Sequence, residues 1–215
     1  MKIALLLFGQ PRFITNRISS DSHHAFILDK YPSDVFVHAW WDKMNVYHYP
    51  SSWTGIDKVK ADPYAIRTIR ELYNPAHAVY DAPIVFDPNN ADENNVKSQL
   101  YSIKEVGNVF KAYTDPNEYT FIILSRFDNR IEHFPELNTM GNGFYKMEDH
   151  PGLADQMFIF SPEYMSFLEC FDAFNDLWNS DGHKSIEKLK EDYFFGRFPG
   201  HVMHKSDFSV KLIRQ

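Results

Sequence analysis

Charged side chains follow two apolar segments that have the composition of buried strands. Arg12 comes shortly after the apolar residues 3–8, and Arg126 and Asp128 come directly after the apolar residues 119–124. A guanidinium group binds phosphate oxygens through its fork of N–H donors, and a carboxylate can ligate a divalent metal ion. In open α/β sheets, ligands bind beyond the carboxyl ends of the strands. These side chains therefore predict a site for a phosphate group or a metal ion at that edge of a sheet.

Each of these groups also has a purely structural explanation. Arg126 and Asp128 are two residues apart, so on an extended chain they share one face and can form a salt bridge with each other. Arg12 can be an exposed arginine in a tight turn, although Gly9 would let a ligand approach the backbone closely. Asp155 begins a third strand-like segment, where it can serve as a polar cap. The residues alone leave these alternatives open.

Apolar runs alternate with helical patterns along the chain, which is typical of an α/β layer fold. The clearest helix covers residues 96–113, because its apolar residues recur at steps of three and four. The polar segment 87–95 before it predicts a loop. Strands are expected at residues 3–8, 34–40, 78–80, 84–86, 119–124, 143–147, 155–160, 201–204 and 208–213, and further helices at residues 18–30, 62–73, 161–178 and 186–195.

Length and composition exclude several classes of protein. The 215 residues contain no repeat and no linker-like stretch, so we expect a single domain spanning residues 1–215, either alone or as one domain of a longer polypeptide. A net charge of −7 argues against a nucleic-acid binder, which needs a basic surface. Cys170 is the only cysteine, which favours a reducing compartment. Residues 3–8 are too short for a signal peptide or a membrane span, so the sequence predicts a cytoplasmic protein without a membrane span.

Three motifs in order resemble those of GT-A-fold glycosyltransferases. They are Gly9-Gln10-Pro11-Arg12, then Ser125-Arg126-Phe127-Asp128, then Leu153-Ala154-Asp155-Gln156. The order and separation of these motifs are similar, more narrowly, to the N-terminal glycosyltransferase domains that chlorella viruses encode for the synthesis of capsid glycans. This resemblance spans nearly the whole chain. It implies a nucleotide-diphospho-sugar transferase fold, with a central mixed, mostly parallel sheet flanked by helices.

The resemblance also implies roles for particular residues. The enzymes of this family hold Mn²⁺ or Mg²⁺ with an Asp-x-Asp motif, which is absent from this chain; Asp128 matches its last acid, and Arg126 replaces its first. Asp128 is therefore the expected metal ligand and, with Asp155, an expected catalytic residue, while Arg126 could neutralise phosphate charge without a metal. The expected nucleotide-sugar-binding residues are Phe8, Gly9, Gln10, Arg12, Lys104, Arg126, Asp128, Asp155 and Gln156; Lys104 lies with Ser98, Gln99 and Ser102 on the polar side of the 96–113 helix.

The activity implied by the resemblance is the transfer of a hexose or deoxyhexose from a UDP-sugar donor to a glycan acceptor. UDP-glucose and UDP-rhamnose both fit such a donor site, and the acceptor would belong to a viral glycoprotein glycan. The protein would then act in the cytoplasm of a host cell. The alternative from another class is a non-catalytic module that binds nucleotide sugars or carbohydrates on the same fold.

Overall fold

The structure is a computed structural model that describes residues 1–42, 46–48, 58–60, 62–147, 156–180, 185–206 and 208–213. Its strands are β1 (Ile3–Gly9), β2 (Ser33–Trp40), β3 (Val46–His48), β4 (Lys58–Lys60), β5 (His77–Asp81), β6 (Phe121–Arg126), β7 (Asn129–His133), β8 (Phe144–Met147), β9 (Met157–Phe160), β10 (Met203–Ser206) and β11 (Ser209–Leu212). Its helices are α1 (Ile18–His23), which continues as a π-helical turn at His24–Leu28, then α2 (Ala65–Tyr73), α3 (Ala91–Tyr113), α4 (Phe174–Ser180) and α5 (Ile186–Arg197).

One seven-stranded sheet organises the described residues, in the order β10-β8-β9-β6-β1-β2-β5. Strand β9 runs antiparallel to both of its neighbours, and the other neighbouring pairs are parallel. Two antiparallel pairs, β3 with β4 and β7 with β11, lie outside this sheet. The expectation of an α/β fold with a central mixed, mostly parallel sheet flanked by helices is confirmed.

The first strand is buried on both of its faces, as its unbroken apolar run predicts. Successive side chains of a strand point to opposite faces, and the residues of β1 divide accordingly between two hydrophobic clusters. Ala4, Leu6 and Phe8 pack in the cluster that contains α3, the segment Pro162–Glu169 and α5. The other cluster contains residues of α1's π-helical continuation, α2, β7 and β11. Because the two hydrophobic clusters cover both faces of the sheet, a site can form at the ends of the strands.

The helical segment expected at residues 161–178 is instead broken in two. Pro162–Glu169 forms a 3₁₀ helix, and α4 starts only at Phe174. The buried residues Tyr164, Phe167 and Cys170 recur at steps of three, which matches the three residues per turn of a 3₁₀ helix rather than the 3.6 of an α-helix.

Among the helices of the described residues, none combines the length and the apolar character needed to cross a membrane.

Two further expectations about elements were wrong. The polar segment 87–95 is not all loop, because Asn90 caps α3 by accepting a hydrogen bond from the Glu93 backbone N–H at 3.2 Å, and the helix begins at Ala91. Residues 84–86 form no strand, and the side chains of Ile84 and Val85 are exposed. Strand β7, by contrast, was not expected and pairs with β11.

Candidate functional site

Arg126 and Asp128 form a two-pronged ion pair at the end of β6. The Arg126 Nε lies 2.9 Å from Asp128 Oδ1, and its Nη2 lies 2.8 Å from Asp128 Oδ2. Phe127 between them is fully buried in the hydrophobic cluster on one side of the sheet. Of the alternatives that the sequence left open, the salt bridge between the two residues is the contact observed; their roles toward phosphate or metal stay predictions.

The turn after β1 brings a second guanidinium group to the same carboxylate. Strands β1 and β6 are parallel neighbours, with Phe8 in register with Arg126. Gly9 has a positive φ of 95°, a conformation open to glycine, and it turns the chain out of the sheet. Arg12 then donates from Nε to Gln10 Oε1 at 2.8 Å, and its Nη1 lies 3.7 Å from Asp128 Oδ2. The residues at the two strand ends are thus brought together.

Arg12, Arg126 and Asp128, here called the arginine cluster, carry one net positive charge. The Asp128 side chain is only 5% exposed, whereas those of Arg12 and Arg126 are 20% and 17% exposed. The carboxylate is therefore held beneath two guanidinium groups that reach water. Partial burial strengthens the attraction of such cations for an anion, because less water screens the charges. The cluster can bind a phosphate group at the carboxyl edge of the sheet.

Among the described residues, the surroundings of Asp128 do not fit a divalent metal ion. Both of its carboxylate oxygens accept hydrogen bonds from Arg126, and Mg²⁺ and Mn²⁺ bind through just such carboxylate oxygens. In that part of the chain no three or more His, Cys, Asp or Glu side chains converge to hold a metal. Asp155, the other acid expected at the site, lies outside the described residues.

A buried hydrogen-bonded chain runs from β1 to β5 on the α3 side of the sheet. Ser102 of α3 accepts a hydrogen bond from the Gly9 backbone N–H at 2.9 Å, and its Oγ lies 2.7 Å from His38 Nδ1. His38 Nε2 lies 3.1 Å from Asp81 Oδ2. Since an ionised carboxylate only accepts, the network assigns the imidazole proton to Nε2, and Ser102 then donates to Nδ1. We call Gly9, Ser102, His38 and Asp81 the serine relay.

The serine relay holds one carboxylate at the sheet edge. His38 and Ser102 are fully buried, and burial lowers the pKa of His38 while the bond to Asp81 partly raises it. The imidazole is therefore neutral near pH 7, which suits the donor and acceptor pattern. The Asp81 side chain is 40% exposed and ends β5 at the carboxyl edge. Because Ser102 is buried, it is unsuited to act as a nucleophile, and its contacts instead position the Gly9 turn and Asp81.

The sequence singled out Ser102 but missed His38 and Asp81. A histidine among the apolar residues 35–40, and an aspartate closing the next strand, were the available signals. Their partnership depends on the parallel register of β2 with β5, where Trp40 lies opposite Asp81, and this register is a tertiary feature.

The remaining expected site residues lie in different surroundings. Phe8 is 1% exposed in the core, so only its backbone can face a ligand. Lys104 pairs with Asp172, in the segment that follows the 3₁₀ helix, and no contact joins it to the arginine cluster within the described residues. Gln156 lies directly before β9, and its carbonyl oxygen accepts a hydrogen bond from the Arg126 backbone N–H at 3.2 Å. The binding roles of these residues stay predictions.

Neither a protein-family model nor a curated protein matches this chain. Among solved structures, the chain is similar to the crystal structure of a glycosyltransferase involved in the glycosylation of the major capsid of PBCV-1. The identity is 10% and the TM-score is 0.43, and the alignment covers 95% of this chain and 82% of the other. At this identity and TM-score the neighbour carries no argument about the chemistry of this chain.

Proposed function

We propose that the protein is a glycosyltransferase that moves a hexose or deoxyhexose from a UDP-sugar to a glycan acceptor. The observation that supports this proposal most is the arginine cluster, in which Arg12 and Arg126 converge on Asp128 where two neighbouring parallel strands end. A nucleoside diphosphate is the anion expected at the carboxyl edge of such a sheet. The three strand-end motifs that resemble glycosyltransferases make the attached sugar the reacting group.

The proposed reaction needs a stabilised leaving group. When the bond between the sugar and UDP breaks, negative charge develops on the β-phosphate oxygen. Positive groups that are already in position stabilise such charge without reorganisation during the reaction. Arg12 and Arg126 supply this charge, and Asp128 holds their guanidinium groups in position. Asp155 is the proposed base that accepts the proton of the acceptor hydroxyl.

Whether UDP binding requires Mn²⁺ or Mg²⁺ is a question separate from the transfer reaction. Since Arg126 occupies both oxygens of Asp128, we expect UDP binding to persist in EDTA. Titration of the protein with UDP, in EDTA and in Mn²⁺, measures the contribution of the metal directly. An affinity that rises at least about tenfold with Mn²⁺ would instead assign the diphosphate charge to a bound metal.

Release of UDP from a panel of UDP-sugars, with and without glycan acceptors, tests the proposed reaction. We expect release from at least one donor to be faster with acceptor than without. Arg12→Ala should weaken UDP binding by about tenfold, which corresponds to the loss of one charge-assisted contact. Arg67→Ala is the matched control, because among the described residues Arg67 pairs only with Glu71, on the exposed side of α2.

The rival is a non-catalytic module that binds nucleotide sugars or carbohydrates. One observation favours it: Asp128, one of the two expected catalytic acids, is already neutralised by Arg126. Tight UDP-sugar binding with no turnover under any acceptor would establish the rival. Donor consumption at the same rate with and without acceptor would mark a hydrolase instead.

A further inference from the structure

A cleft of about 670 Å³ opens beside the arginine cluster, on the side of the β7–β11 pair. Ile18, Arg130, Gln156 and residues 210–213 line it. Two backbone hydrogen bonds tie its wall to the cluster. The Ile213 N–H donates to the Asp128 carbonyl oxygen at 2.9 Å, and the Gln156 carbonyl accepts from the Arg126 N–H at 3.2 Å. The wall of the cleft and the arginine cluster are therefore joined through the backbone.

Two cations face each other across the strands that form this cleft. Arg130 of β7 lies opposite Lys211 of β11 in the antiparallel register, and both side chains are exposed. Side chains at directly opposed positions are close neighbours, and like charges there repel each other. Neither residue has an ion pair or a hydrogen bond to its side chain within the described residues. Glu132, two positions from Arg130 on the same face of β7, is not paired with it.

Acids that could pair with these two cations are plentiful, because the chain has 29 acidic residues against 22 basic ones. Other exposed cations use them: Arg67 pairs with Glu71 and Lys111 with Glu169. Two opposed cations without acidic partners, beside a concave surface, form a favourable binding site for an anion, because an anion between them would offset their mutual repulsion.

Gln156 adds a polar group to the lining of the cleft. Its Oε1 is buried, and it has no hydrogen-bond partner within the described residues. A buried acceptor without a donor is costly, and a turn of the Gln156 side chain towards the cleft would let a ligand hydroxyl satisfy it. The cleft thus combines a hydrogen-bond acceptor suited to a sugar hydroxyl with a cation pair suited to an anion.

We propose that this cleft seats the acceptor, and that the acceptor carries an anionic group, a phosphate or a carboxylate, between Arg130 and Lys211. This inference rests on the proposed function, because it names the chemical class of the second substrate of that reaction. A sugar hydroxyl donates to Gln156 Oε1, and the anion binds the guanidinium and ammonium groups by charge-assisted hydrogen bonds. The acceptor is then an acidic rather than a neutral sugar.

Binding of three probes, followed by NMR titration of the protein saturated with UDP, tests the inference. Methyl β-glucuronide carries a carboxylate, glucose 6-phosphate carries a phosphate, and methyl β-glucoside is neutral. UDP occupies the arginine cluster, so the probes report on the cleft alone. We expect at least one acidic probe to bind about tenfold more tightly than the neutral probe, and the preferred anion tells the two sources apart.

The variant Arg130→Gln with Lys211→Gln should abolish this preference without changing UDP binding. The matched control, Arg67→Gln with Lys111→Gln, removes the same charge elsewhere and should retain the preference. Higher salt should weaken binding of the acidic probe to the unmodified protein. Equal binding of acidic and neutral probes, no binding of any probe, or an unchanged preference in the cleft variant would overturn the inference. A failure to bind UDP would count against the proposed function instead, and it is measured separately.

Discussion

Arg126 binds both carboxylate oxygens of Asp128, at 2.9 and 2.8 Å, with a single residue between them in the chain. That residue, Phe127, is fully buried. Strand β6 ends at Arg126, and Phe127 and Asp128 form the turn that leads into β7. The buried Phe127 ring anchors this turn in the core, next to the ion pair.

Asp128→Asn should reduce stability more than loss of an ordinary surface ion pair. The substitution keeps the shape of the side chain but removes the charge that Arg126 and Arg12 share. We expect a loss of about 1–3 kcal/mol in the free energy of unfolding, measured by urea denaturation. Glu169→Gln, which breaks the exposed pair with Lys111, should cost less than about 1 kcal/mol. Equal losses in both variants would show that the arginine cluster contributes no more than a surface pair.

Ser102→Ala should destabilise the protein by interrupting the serine relay. The Gly9 N–H and His38 Nδ1 both lose their buried partner, which costs about 1–3 kcal/mol. Ser98→Ala is the control, because Ser98 lies one turn earlier on α3 and contributes its backbone oxygen to Trp40. Both substitutions change helix propensity alike, so the difference in urea midpoint measures the relay. Equal midpoints would contradict a stabilising role for it.

The free energy of unfolding should depend on pH through His23. Burial lowers the pKa of this histidine to about 3, and its ring nitrogens lie 2.9 Å from Tyr73 Oη and 3.3 Å from Ser125 Oγ. Below about pH 6.5 His23 binds a proton in the unfolded chain, whereas it stays neutral in the folded protein. Stability is therefore greatest above pH 6.5 and falls by about 1.4 kcal/mol per pH unit as the pH drops towards 3.

His23→Gln removes this titration and serves as the comparison. Urea denaturation of both proteins at pH 7, 6 and 5 should give a slope that is smaller in the variant by about one proton. Other groups titrate equally in both proteins, so their contributions cancel in the difference. Parallel pH profiles would mean that His23 takes up a proton in the folded protein.

Gly107→Ala should loosen the packing of α3 on the 3₁₀ segment. An added Cβ would lie 2.9 Å from Leu168 Cδ1 and 3.1 Å from Leu168 Cβ, and Leu168 is buried. We expect overpacking to cost about 1–3 kcal/mol and to outweigh the gain in helix propensity. Gly196→Ala in α5, where a Cβ would meet nothing within 4 Å, should instead gain about 0.5–1 kcal/mol. Thermal unfolding of the pair should show shifts of opposite sign.

The sequence predicted the fold class because apolar periodicity reports local burial. Residues 3–8 are a continuous apolar run, residues 35–40 are apolar apart from His38, and both became strands covered on two faces. Element boundaries were less predictable. The break between Pro162–Glu169 and α4 depends on which side chains the sheet buries, and the strand β7 is defined by its pairing with β11, a partner about 80 positions away.

For the site, the sequence alone was enough to predict which charges would meet. Arg12, Arg126 and Asp128 follow parallel strands, and parallel strands end at one edge whatever the details of packing. The contacts that those charges make depend on tertiary packing: Asp128 is held by Arg126 rather than presented alone, and His38 joins Ser102 to Asp81. Hydrogen bonds between distant residues depend on strand register and helix rotation, and those are set by packing across the whole core.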